Sequence, residues 1–208
     1  MRELQIYKPL SPFTGTQGFG QNLSPLYKEL GLLGHNGFDA IRGCVKGKCY
    51  ETEGANVRAA HDGEVIFAGV DSAGGYFVEL RTLEMFTDKK GVPYFWKTIY
   101  YHLRSSIKIK VGQRVRVGDI LGLADNTGRS NGSHLHFGIR PLNAEDKPLD
   151  YFNRYFGWIA PKPFLCADFL KWPVDLRYGN PRNWNTFLME KAALVPLCRD
   201  LRRLPTEQ

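Results

Sequence analysis

An all-β fold, mostly antiparallel, is what this 208-residue sequence predicts, and three observations carry the prediction. Its 22 glycines and 12 prolines punctuate the chain, and the segments between them are rich in Val, Ile, Tyr and Phe, which reads as short strands and turns. An apolar period near 3.6 is missing from about residue 35 to residue 140. The connections in that stretch are also too short for parallel crossovers.

The strands follow in order. Asn56 to Ala60, Glu64 to Val70, Tyr76 to Arg81, Tyr94 to Leu103, Arg114 to Val117, Ile120 to Ala124 and Leu135 to Arg140 each hold β-branched or aromatic residues between turn formers. Asp88-Lys89-Lys90-Gly91 reads as the tip of a hairpin joining the third and fourth. The organisation expected is an N-terminal segment (1–34), a β core (35–140) and a C-terminal extension (141–208) containing some helix. That helix would open behind Asn183 as its cap, run through Trp184 to Lys191, and end or kink at Pro196. With Trp158, Trp172 and Trp184, the extension reads as a structural pack on the core or as a small binding module, since aromatics serve both.

Composition excludes several classes. A hydrophobic fraction of 43% with 24% charged residues is that of a folded soluble domain, not a disordered, collagenous or coiled-coil chain. No stretch reaches the roughly 18 apolar residues of a membrane span. The start, Met1 to Ile6, lacks the apolar core of a secretory signal, which implies a removed leader or another route of export. The net charge of +7 suits either an anionic polymer or nucleic acid. Two mild basic clusters, Lys108, Lys110, Arg114, Arg116 and Arg199, Arg202, Arg203, match no nucleic-acid motif, so no nucleic acid is expected as a partner. Of the four cysteines, Cys44 and Cys49 flank a Gly-containing loop and read as a loop disulfide or free thiols; Cys166 and Cys198 carry no assigned chemistry.

The five histidines carry the chemical signal. His35 and Asp39 stand four apart around Gly37, an extended spacing that would place both on one strand face. His134 and His136 share a face about 6.6 Å apart, at a rise of roughly 3.3 Å per residue, with Leu135 turned into the core. One of that pair can hold a metal while the other reaches a molecule bound to it. His102, near the end of a strand, has apolar flanks. Two imidazoles and a carboxylate with one open position are the composition of a catalytic zinc site; an iron facial triad uses the same donors. Calcium and magnesium would want more oxygens.

His35-x-x-x-Asp39, Tyr101-His102-Leu103 and His134-Leu135-His136-Phe137 in this order resemble the LytM/lysostaphin-type zinc metallopeptidases that cut peptidoglycan. The run from Val111 to Gly122, then Asn126-Thr127-Gly128-Arg129-Ser130-Asn131-Gly132-Ser133 before His134, is similar to the family's Gly-rich approach to its second histidine pair. Ala59 to Val65 resembles a turn of the family in which His61 has no catalytic role. The resemblance implies a lysostaphin-type barrel-sandwich core, His35, Asp39 and His136 as Zn2+ ligands, and His102 and His134 as the catalytic histidines. It implies a zinc endopeptidase acting on cross-links or stem peptides of peptidoglycan, extracytoplasmic or phage-associated; the basic surplus suits anionic wall polymers as a further partner. A non-catalytic wall-binding or regulatory relative, and a zinc hydrolase of another substrate, are the alternatives. Two departures stand out: the family often has an acidic residue where Gly138 follows Phe137, and the insert with Cys44 and Cys49 would change a groove wall.

Overall fold

Strands alternate with glycine and proline turns along the chain in the computed structural model, which describes Leu4 and residues 6–105 and 108–168. In order they are β1 (Ile6–Lys8), β2 (Thr14–Gln17), the single-turn helix α1 (Leu26–Glu29), β3 (Phe38–Ile41), β4 (Cys44–Val45), β5 (Lys48–Cys49), β6 (Asn56–Arg58), β7 (Gly63–Asp71), β8 (Gly75–Thr82), β9 (Phe86–Thr87), β10 (Pro93–Leu103), β11 (Arg114–Val115), β12 (Ile120–Leu123), β13 (Leu135–Leu142) and β14 (Leu165–Asp168). Every strand expected from residue 56 to residue 140 is present, and the Asp88 turn closes by its own carboxylate, which accepts from Lys90 N and Val92 N at 2.8 Å. The helix expected from Asn183, with Trp172, Trp184, Pro196, Cys198 and the Arg199–Arg203 cluster, lies outside the described residues.

The dominant sheet runs β11-β7-β8-β10-β13-β3-β2, with β9 paired on β10, and all its pairings are antiparallel. Strand alternation gives it two unlike faces. Val78, Leu80, Tyr100, Leu135, Phe137 and Ile139 point inward, where the small β12–β6 sheet adds Val57 and Leu121 to one core. The other face carries Phe77, Ile99, Tyr101, His136 and Asp39. β1 pairs in parallel with β14, β2 joins β3 at the edge of the main sheet, and Ile6, Leu10, Ile159 and Phe164 pack into the same core as the 35–140 stretch.

Gly138 has a packing reason. A Cβ there would lie 2.9 Å from Ile99 Cγ2 and 3.1 Å from Trp158 Cε3, so the bare backbone is what lets Trp158 lie on the sheet. Trp158 is buried beneath the 151–157 turn, with the Arg140 guanidinium 4.3 Å from its ring centre. Cys44 and Cys49 close a disulfide across the β4–β5 hairpin.

Candidate active site

Three adjacent strands line up the centre. On β13, His136 is the register partner of both Tyr101 on β10 and Asp39 on β3, so these three side chains form one row across the outer face. Directly opposed residues on one face hold their Cβ atoms about 5 Å apart, close enough for two side chains to converge on one point. Gly37 sits under this row: a Cβ there would come 2.5 Å from His136 Nε2.

His35 arrives differently from the expectation. It precedes β3 instead of sharing its face, and a loop carries it in: its N–H donates to Gln21 O at 2.9 Å and its carbonyl accepts from Gly20 N at 2.8 Å. Its Nδ1 lies 3.2 Å from Gly18 O, so a proton on Nδ1 leaves the Nε2 lone pair facing inward. Glycines on both sides free the backbone to make that approach, which strand alternation alone does not require.

His35 Nε2, Asp39 Oδ1 and His136 Nδ1 then form a triangle with sides of 2.9, 3.1 and 3.1 Å. They are the one group of three such donors converging on a common point among the described residues. Bonds of about 2.0–2.1 Å to a tetrahedral zinc put ligand atoms about 3.3–3.4 Å apart, so the triangle is close to one face of such a site. Burial alone would raise the Asp39 carboxyl, but hydrogen bonds from His136 and His35 and their charge outweigh it and hold the group well below the usual carboxylate range. Burial pushes the His136 imidazole down, with Asp39 opposing. A carboxylate held in its ionised form is what a metal ligand requires.

His102 and His134 stand beside the triangle, their ring centres 4.6 Å apart, with His134 Nε2 3.6 Å from Asp39 Oδ1. His134 Nδ1 is 2.8 Å from Gly132 O and 3.1 Å from Ser130 Oγ; His102 Nδ1 is 2.7 Å from Thr127 O. A backbone carbonyl can only accept, so both rings carry a proton on Nδ1, which in the neutral form leaves Nε2 as the acceptor. Burial pushes His102 down to about 4, with the charges of His134 and His136 adding and the Thr127 carbonyl opposing. Asp125 ties the two backbones together, donating N–H to His102 O and accepting from His134 N.

His102 reaches this face through a bulge. Tyr100 pairs with Val78 and Leu103 with Tyr76, so Tyr101 and His102 together oppose Phe77 alone. His102 takes φ +63, and the extra residue turns a ring that regular alternation would send into the core. The contacts of Gly18, Thr127 and Gly132 carry no sequence signature, because backbone carbonyls supply them. His61 lies elsewhere: it is buried, with Nε2 2.9 Å from Thr98 Oγ1 and Nδ1 2.8 Å from Asp62 O. Ile41, Tyr50, Glu51, Ser133 and the Cys44–Cys49 hairpin line a separate open cavity of about 330 Å³, to which none of the five site residues contributes.

The model of peptidase family M23 matches residues 45–150. The chain belongs to peptidase family M23. The matched stretch holds His102, His134 and His136, while His35 and Asp39 precede it. Among M23 relatives, a glycyl-glycine endopeptidase of Staphylococcus capitis is 40% identical over 84 residues, 40% of this chain and 21% of its own length. A peptidoglycan DD-endopeptidase of Vibrio cholerae is 47% identical over 53 residues, 24% of this chain and 12% of its own. The chain therefore spans about a fifth or less of these relatives. The catalytic domain of lysostaphin from Staphylococcus simulans superimposes with a TM-score of 0.50 at 25% identity, over 73% of this chain and 91% of that one. A zinc-containing peptidase from Vibrio cholerae gives 0.50 at 26%, over 71% and 39%. The M23 fold is thus lysostaphin-like, and the family is one of metallopeptidases.

Proposed function

We propose that this M23 chain is a zinc-dependent endopeptidase that hydrolyses cross-links or stem peptides of bacterial peptidoglycan. The observation that carries the reading is the His35, Asp39 and His136 triangle with two Nε2 acceptors beside it. In this reading those three residues hold the metal and His102 and His134 are catalytic. When bound, zinc supplies Lewis acidity and a nucleophile at neutral pH. His102 and His134 supply the proton traffic: a neutral imidazole takes a proton at Nε2 from the attacking water and returns it to the leaving amine. As imidazolium, either ring can donate to the developing oxyanion, an interaction often worth about 3 to 4 kcal/mol.

The named relatives support both a glycine bridge and a D-alanyl bond as the cleaved link. The working unit is the 35–140 core, with 1–34 and 141–208 appended, acting outside the cytoplasm or on a phage particle. Purified cell walls should clear with the protein and stop clearing with a chelator; mass spectrometry of the released muropeptides then names the bond. His102→Ala and His134→Ala should each keep about one zinc per chain while losing most activity. Chelator-insensitive clearing, or a zinc-free variant of either histidine, overturns the assignment.

A further inference from the structure

We propose that the Thr127 hydroxyl is a positioning group for His102, stapling the bulge that aims this imidazole and fixing the carbonyl that sets its tautomer. The case begins with the broken ladder. Tyr76 and Leu103 are register partners on β8 and β10 just past the bulge, yet the Thr127 side chain sits between them. Its Oγ1 donates to Leu103 O at 2.6 Å and accepts from Tyr76 N at 3.1 Å. One hydroxyl replaces the backbone bond that the bulge opens, which satisfies both groups where bare separation would leave two polar atoms unmatched. Its own carbonyl accepts from His102 Nδ1 at 2.7 Å.

The surroundings require this seat. His102 holds φ +63, a left-handed conformation that is costly for a residue with a Cβ and persists only where neighbours enforce it. The neighbours are Gly74, whose carbonyl accepts from His102 N at 2.8 Å, and the 127–128 turn, which presses on Gly75 so closely that a Cβ on Gly75 would collide with the Thr127 carbonyl carbon. A Cβ on Gly128 would likewise strike Gly75 N and Ala73 O. Two glycines thus let the Thr127 loop nest against the start of β8, and the hydroxyl locks it there.

This inference rests on the peptidase reading for its effect on turnover and is independent of it for its effect on the ring. The test uses zinc-loaded full-length protein with ¹⁵N-labelled histidine. Thr127→Val keeps the shape and removes both hydroxyl bonds; Thr127→Ser keeps the hydroxyl. In Thr127→Val the His102 ring should leave the pure Nδ1–H pattern seen in the parent in long-range ¹H–¹⁵N spectra, zinc content should stay unchanged, and kcat should fall about 10- to 100-fold with little change in KM. Thr127→Ser should restore both readouts. An unaltered His102 pattern in Thr127→Val overturns the proposal, as does failure of Thr127→Ser to restore it, and loss of zinc in Thr127→Val would make Thr127 a structural residue of the whole site instead. Should the parent cleave no peptidoglycan, the spectra still decide the role of Thr127.

Discussion

His102 sets an acid limit on the metal-free fold. The unfolded chain protonates it as pH falls through about 6.5, whereas burial lowers the folded-state value to about 4. Between those values the unfolded state binds more protons, so stability is full above the upper one and falls as pH drops toward the lower. The loss across the window is about 3 kcal/mol for this one group. Urea midpoints of metal-free protein at pH 7 and pH 4.5 should show it, and His102→Gln should flatten the dependence in that range. An equal slope in both proteins would mean that His102 titrates normally.

At the scale of elements, Gly138 couples β13 to the turn that follows it. Gly138→Ala should displace Trp158 and cost about 1–3 kcal/mol by overpacking, measured as a lowered midpoint in denaturant, with metal content intact because the added methyl meets Ile99 and Trp158 and not His136, two residues along the same face. Trp158→Phe, with a smaller ring, should relieve part of the cost in the double variant, and purely additive effects would refute the coupling. β6–β8 and β10–β13 were legible because Val-, Ile- and Tyr-rich runs between turns announce them. β1, β2, β4, β5, β9 and β14 were not, since two to four residues hold no period, and β1 and β14 find each other only across the length of the chain. The same limit hid the bulge at His102: alternation predicts which face a residue takes only while the ladder stays regular. Asp39 and His136 were legible as ligand candidates by residue type, but their register pairing, which brings them together, is a tertiary fact.

For the whole molecule, the +7 charge predicts long-range attraction to anionic wall polymers. Sedimentation with purified walls should fall as salt rises from 50 mM to about 500 mM, where the screening length drops to a few ångströms. Salt-insensitive binding would assign retention to specific contacts instead. Within the described residues no helix is long and apolar enough to cross a membrane.

His35 and His136 touch across 101 positions of sequence. A chain still being synthesised holds His35 and Asp39 long before their third partner exists, and contacts of such separation close late because the intervening loop must first be ordered. In the proposed reading metal capture therefore waits for β13 to pair with β3, which puts it near the end of folding. On the same reading a half-folded copy lacks one of its three ligands, so hydrolysis would begin only once the whole sheet is assembled.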